Sequence, residues 1–455
     1  MHRRSLSVLV VALFAAIGDV AWAESPPPRA LTLDEATEIA LGHNPGLVAA
    51  GQAAAAAAEG IEQAKGRYLP KIDLTETASR TNNPTLVFSN LLGQENFGAA
   101  NFAVPTLNEP DPLDNFNTRL TLTQPIYAGG RISAGKKASQ HVAAAARGQQ
   151  ERARQETIFQ TTRAYQGVLL ARSQLQVAEA ARAAAREHLR IAESLVQGGL
   201  AVPSDVMRVK VRLAEIEEMV IRATAGEQVA RAGLEAVMGA RPEGPYDLVE
   251  PAEARADLPE VEAAVQEALQ RRADLAAARE GAAAASQGVR AAKGGWLPQV
   301  GFSAFYEVNG DTFLGSTGQN WAAFVVAGIS LFDGLSTASS VRQSHQQEAR
   351  AGTMVKGFES QVEMEVRQAH AEVAGALARR EAARSAVAQA EDAVRIVRDR
   401  YEGGLATVTD LLDQETALTD ARARAAQADY DCRNGETALR LAMGTLEWTP
   451  EEVRT

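Results

Sequence analysis

The sequence predicts a mainly α-helical chain with four short β-strands of membrane-crossing length, laid out as two repeats of one plan. Three observations predict it. Ala40-Leu41, Leu47, Ala64-Lys65-Gly66 and Leu69-Pro70 recur 228 residues later as Ala268-Leu269, Leu275, Ala292-Lys293-Gly294 and Leu297-Pro298. Gly129, Gly198-Gly199-Leu200-Ala201, Asp205 and Met238-Gly239 recur 205 residues later as Gly334, Gly403-Gly404-Leu405-Ala406, Asp410 and Met443-Gly444. Between these landmarks lie helical stretches of about 100 Å at ~1.5 Å per residue, and paired segments in which apolar and polar residues alternate.

The chain opens with Arg3 and Arg4, an apolar run from Leu6 to Ile17, and the small-x-small pattern Ala21-Trp22-Ala23. Residues 1–23 are therefore expected to be a secretory signal peptide, because the run falls short of the about 20 residues a membrane helix needs. Its removal changes the formal charge from −11 to −12, since Arg3, Arg4 and Asp19 leave together. An acidic chain repels phosphate, which argues against a nucleic-acid partner. Cys432 is the sole cysteine, so no intrachain disulfide can form, and it lies too far from the cleavage site for a lipid anchor. The histidines show no metal-ligand spacing, and no phosphate loop or nucleophile elbow is present. Neither an enzyme nor a cofactor or metal site is expected.

Residues 24–240 form the first repeat, 241–259 a Pro-rich acidic linker, 260–446 the second repeat and 447–455 a tail. Each repeat starts with an Ala-rich helix, about Leu33 to Gly66 and Glu260 to Gly294, that runs into a proline. Strands are expected over Lys71 to Asn82, Phe116 to Tyr127, Gln299 to Thr312 and Trp321 to Phe332. Ile72 and Leu74 alternate with Lys71, Asp73 and Thr75; Val300, Phe302, Ala304, Tyr306 and Val308 share one face of the third. A tilted membrane strand takes about 9–11 residues, and one apolar with one polar face suits lipid outside and water inside. The two offsets differ by 23, which places a longer loop within Asn82 to Asn115 of the first repeat. Tyr68, Tyr127, Trp296 and Phe332 stand at the four strand–helix junctions, as half of an interfacial girdle facing membrane lipid would require, the alternative being that they pack the junctions into a soluble core.

The long helices are expected over Arg131 to Gln197 and Leu335 to Glu402. Positions 362, 366, 369, 373, 376, 380, 383, 387, 390, 394, 397 and 401 step by four and three and are apolar except Arg380. The same seam runs through Ala164, Val168, Ala171, Leu175, Ala178, Arg182, Ala185, Leu189, Ala192 and Val196. Sustained 3.5-residue spacing means coiled-coil packing. Gly198-Gly199 and Gly403-Gly404 break these helices, supplying tight turns into helices of about 35 residues. Four strands cannot close a barrel, for which about eight is the minimum, so copies must associate: two would give a plugged interior, three a lumen.

Taken together, Leu31-Thr32-Leu33-Asp34-Glu35-Ala36 with Asn44-Pro45, Tyr68-Leu69-Pro70-Lys71-Ile72, Trp296-Leu297-Pro298-Gln299-Val300 and Leu122-Thr123-Gln124-Pro125-Ile126-Tyr127-Ala128-Gly129-Gly130 resemble the TolC family of outer-membrane factors. The resemblance covers nearly the whole mature chain. It implies a homotrimer with a 12-stranded outer-membrane barrel and a 12-helix periplasmic tunnel, docked to a periplasmic adaptor and an inner-membrane transporter. It also makes the helix tips at Gly198, Gly199, Leu200, Gly403, Gly404 and Leu405 the adaptor-docking end. Asp410 and Asp413 match aspartates that ring the tunnel entrance in the best-known member; three copies would concentrate six carboxylates, favouring cations. A carboxylate in the first turn of a helix is also ordinary helix-start chemistry, which Asp410 and its counterpart Asp205 could equally supply. The chain departs from the pattern at Ala406, where that member has an arginine. The expected function is a passive exit duct for small molecules. Type I protein secretion and metal-cation efflux use the same kind of duct, and a coiled-coil structural protein without a pore is the rival of another class.

Overall fold

A computed structural model describes residues 29–242, 244–251 and 258–448. The expected signal peptide lies outside these residues, as do positions 243 and 252–257 of the linker and the tail from 449 onward.

A short strand β1 (Arg29–Leu31) leads into helices α1 (Leu33–His43) and α2 (Pro45–Gly66). The Ala-rich helix is thus two helices, broken at Asn44, whose side chain accepts from the N–H groups of Gly46 and Leu47 as an N-cap while Pro45 takes the first helical position. Strand β2 (Lys71–Thr81) follows, then helices α3 (Pro84–Gly93) and α4 (Val104–Asn108), strand β3 (Leu113–Ala128), and helices α5 (Arg131–Gln197) and α6 (Pro203–Met238). The second half runs β4 (Tyr246–Leu248), α7 (Val261–Arg271), α8 (Ala273–Lys293), β5 (Gln299–Gly310), β6 (Gly318–Gly328), α9 (Ser336–Glu402) and α10 (Val408–Met443). Helices α5 and α9 have 67 residues each, and α6 and α10 have 36 each.

The seam residues Val362, Val366, Ala369, Val373, Ala376, Val394 and Tyr401 are buried, as are Val168, Ala178, Ala185 and Ala192. Helix α5 packs on α2 and α8 over one stretch and on α6 and α10 over another; α9 packs on α8 and α10. The bundle is therefore only a few helices wide and very long, with its apolar stripe covered by the neighbouring coil.

Near mid-length, β1 pairs in parallel with β4. Tyr165 on α5 is fully buried beneath this pair, and its hydroxyl lies 2.8 Å from Leu31 O and 2.6 Å from Val249 O, the donor to both carbonyls. Burial pushes its phenol up to about 12. The second half repeats the arrangement with other chemistry: His370, 205 residues on, has its Nε2 3.0 Å from Pro259 O. Tyr165→Phe should cost about 0.5–1.5 kcal/mol, the worth of a hydrogen bond lost without stranding a buried partner, because Val249 is exposed and Leu31 O keeps the Val249 N–H. Thermal melting of the detergent-solubilised protein would register that loss.

The larger sheet is antiparallel throughout, in the order β2-β3-β5-β6, which leaves β2 and β6 as unpaired edges. Strand β6 begins and ends earlier than its alternation suggests. Pairing fixes this: Gln299, the first residue of β5, lies opposite Gly328, so nothing remains for Ile329 to Phe332 to pair with.

Candidate functional site

Two regions carry the functional geometry: the sheet and the helix tips farthest from it. In the sheet, register puts Asp73, Thr75 and Thr77 on one face with Asn117, Arg119, Thr121, Glu307 and Asn309. Arg119 pairs with Glu307 on that face, and Asn117 donates to Asn309 Oδ1 at 3.0 Å. The opposite face presents Ile72, Leu74, Leu120, Tyr306, Trp321 and Val325, all exposed in the single chain. The division is sharpest over β2 and β3 and holds along most of β5, while β6 is apolar on both faces, with Phe324 and Val326 on the side of Arg119 and Glu307. Apolar outside and polar inside is the pattern of a wall between lipid and water.

The girdle residues Tyr68, Tyr127 and Trp296 sit at the junctions and are partly exposed. Phe332 lies in the link between β6 and α9, beyond the strand rather than at its end, and is 81% exposed. At the same level, Gly129 takes φ +59 in the bend from β3 to α5, and a Cβ there would meet Gly294 O at 2.3 Å. The sheet-to-helix bend of the first half and the helix-to-sheet link between α8 and β5 in the second touch backbone to backbone.

At the tips, Gly198 and Gly403 cap α5 and α9, and Gly199 and Gly404 follow at φ +74 and +73, the left-handed region where glycine costs least. The turns turn outward Leu200 and Leu405, which are 81% and 75% exposed. Behind them Ala192, Val206, Val209, Tyr401, Val408 and Leu411 form one buried cluster joining both turns, with Ala406 packed against it.

Asp410 completes a capping box. Its carboxylate accepts from the Thr407 N–H at 2.9 Å and hydroxyl at 2.7 Å, while the Asp410 N–H donates to Thr407 Oγ1. The Thr407 backbone hydrogen bond holds its carboxyl below the usual aspartate range, so it is ionised at neutral pH. Asp413 is exposed one turn further along α10. Asp205 stands in the first turn of α6, beside Tyr401, whose hydroxyl is buried without a hydrogen-bond partner among the described residues. Burial first, then the Asp205 charge, pushes the Tyr401 phenol up.

Sequence reasoning missed two groups here. Arg208 donates to Thr409 Oγ1 at 2.9 Å and ties the two tips; as the repeat counterpart of Asp413 it was within reach of the 205-residue offset. His188 on α5, 3% exposed, has Nε2 2.8 Å from Glu415 Oε1 on α10, and Arg398 on α9 donates to the same oxygen at 3.0 Å. Burial pushes the Glu415 carboxyl up, but the His188 and Arg398 hydrogen bonds outweigh it and leave it lowered. No spacing rule could have joined residues so distant in the chain. Among the described residues no group of His, Cys, Asp and Glu could hold a metal ion, and no helix is long and apolar enough to cross a membrane.

A two-faced, open-edged sheet standing on helices of about 100 Å defines an outer-membrane channel component of an export system. The chain belongs to the outer membrane efflux protein family, whose pattern it matches over residues 36–240 and 264–445. It is 26% identical to the outer membrane efflux protein BepC of Brucella suis over 64% of each chain. To protein CyaE of Bordetella pertussis it is 26% identical over 94% of this chain and 87% of that one. The fold superposes on the outer membrane protein VceC of Vibrio cholerae with a TM-score of 0.73, at 22% identity, over 90% of this chain and 96% of VceC.

Proposed function

We propose that three copies of this chain form a passive exit duct, the outer-membrane part of a tripartite efflux system for small molecules. The observation that carries it is the sheet: four strands, of which β2, β3 and β5 divide into an apolar and a polar face, with both edges, β2 and β6, left open. Edges exposed in this way seek partners, and three copies supply twelve strands, enough for a lumen. The two repeats, 24–240 and 260–446, then each contribute two strands and one pair of long helices. The duct performs no catalysis and takes no cofactor; energy comes from an inner-membrane transporter. The glycine turns with Leu200 and Leu405 offer a periplasmic adaptor an exposed apolar contact, and Tyr68, Tyr127, Trp296 and Phe332 face lipid headgroups.

Asp410 and Asp413 ring the entrance in this reading. Asp410 serves twice, since a capping carboxylate that stays exposed keeps its charge for passing ions. Reconstituted in planar bilayers, the wild-type protein should conduct and prefer cations. Asp410→Asn/Asp413→Asn should lower that preference several-fold. Unchanged selectivity would remove the two aspartates from the entrance, and a folded trimer without conductance would overturn the duct. A product recovered wholly outside the outer-membrane fraction would point to the structural coiled coil instead.

A further inference from the structure

The segment between β2 and β3, residues 82–112, is far longer than its counterpart 311–317, and it is folded. Helix α3 starts at the end of β2, with Asn83 as N-cap and Pro84 in the first turn. Its ten residues cover about 15 Å, and a four-stranded sheet is about 14 Å across its strand axes. The helix therefore reaches from one edge of the sheet to the other. Beyond it, Phe97 packs edge-on against Phe88 at 4.8 Å and against Phe102 at 5.1 Å, closing the segment on itself.

The face on which α3 lies is fixed by its far end. Gln94 is 1% exposed, and its amide donates to Asp114 O at 2.8 Å and to Asn115 Oδ1 at 2.9 Å, with Gly310 O at 3.3 Å. Asn115 in turn donates to Asn309 Oδ1. Asn115 and Asn309 share the polar face with Asn117, Arg119 and Glu307. A side chain on Gly318, opposite Asn309, would meet Gly93 O at 2.1 Å, so backbone already fills that place. The insert is thus fastened to the polar side of the sheet at the end remote from the helices.

Resting on the reading of the polar face as the wall of a duct, we propose that α3 and the turn after it form an outer constriction, a second sieve at the end opposite the tips. Three copies project inward from the barrel wall and narrow its mouth, and Gln94 is the positioning residue that holds each in place. The segment 82–112 carries Glu95, Glu109 and Asp111, all exposed, and neither lysine nor arginine. The sieve therefore favours cationic and neutral molecules over anions.

The test is labelling from outside on intact cells, which does not depend on the state of the tips. Thr121→Cys places a thiol on the polar face deep to the insert; Cys432 is fully buried and adds no background. In this parent a small uncharged maleimide should react, a maleimide carrying a bulky polyethylene glycol chain should not, and an anionic small maleimide should react more slowly than a cationic one. Replacing residues 82–112 with the short turn 311–317 should speed the bulky reagent by roughly tenfold or more and abolish the charge preference. Gln94→Ala, which keeps the segment but frees it, should speed the bulky reagent to a lesser extent. Equal labelling by the bulky reagent in parent and short-turn protein, both recovered as trimers, would overturn the constriction alone. A thiol that no reagent reaches in either protein would overturn the duct reading and the constriction with it.

Discussion

Gly129→Val is expected to cost roughly 3–5 kcal/mol, through two additive causes. The first is backbone: φ is +59, where a β-branched residue is strained. The second is space: the added Cβ would lie 2.3 Å from Gly294 O, and a Cβ on Gly294 would meet Gly129 O at 2.5 Å. Both atoms are main chain and cannot swing aside. Gly334 provides the control, since it is the repeat counterpart, has φ +65, and has nothing within 4 Å of its Cβ position. Gly334→Val should show the backbone cost alone, about 1–3 kcal/mol. Comparing the melting temperatures of the two variants separates strain from collision; equal losses would mean that the Gly129–Gly294 contact is not a constraint.

Arg272→Ala is the second large effect, about 3–5 kcal/mol. The Arg272 side chain is 2% exposed and serves Asp274 at 2.7 Å and Glu365, with its guanidinium over Phe358. Truncation leaves two part-buried carboxylates. Their one remaining ion-pair partner among the described residues is Arg152, 3.6 Å from Asp274, beside the Leu275 N–H on Asp274 and the Gln361 amide on Glu365. The pH dependence has a definite sign. Burial pushes the Asp274 carboxyl up, yet the Arg272 hydrogen bond and charge outweigh it and hold it below the usual range. A carboxyl lowered on folding contributes stability above its unfolded pKa of about 3.9, and loses it as pH falls through the folded value. In Arg272→Ala burial loses its main opponent, so acid should relieve the defect rather than add to it. The gap between wild type and variant in melting temperature should narrow from pH 7 to pH 4. A gap that stays constant would mean that Asp274 does not depend on Arg272.

Much of this was legible from periodicity alone. The two long helices end where the glycine pairs say, and the seam residues are covered along their length, because a 3.5-residue stripe over dozens of residues has one physical meaning. The first and third strands begin at Lys71 and Gln299, as Pro70 and Pro298 announce. What escaped lacked a repeating signal. Strands β1 and β4 have three residues each, too few to display alternation. Helix α3 hid in a stretch rich in Asn, Pro and Gly, although Asn83-Pro84 is the same helix opening as Asn44-Pro45. The break between α7 and α8 falls at Arg272, where a capping side chain is absent and the joint is held instead by ion pairs from α8 and α9. At the tips, the glycines and Asp410 were visible through duplication, while the His188–Glu415–Arg398 contact exists only once three helices meet.

Helices α5 and α9 match in residue count, as do α6 and α10. The reach of the bundle is therefore a ganged dimension, like the legs of a table. Removing one heptad from a single helix would lower one leg by about 10 Å and pull its turn away from its neighbour's. Only four cuts made together, each a whole number of heptads, would shorten the bundle and keep its foot level.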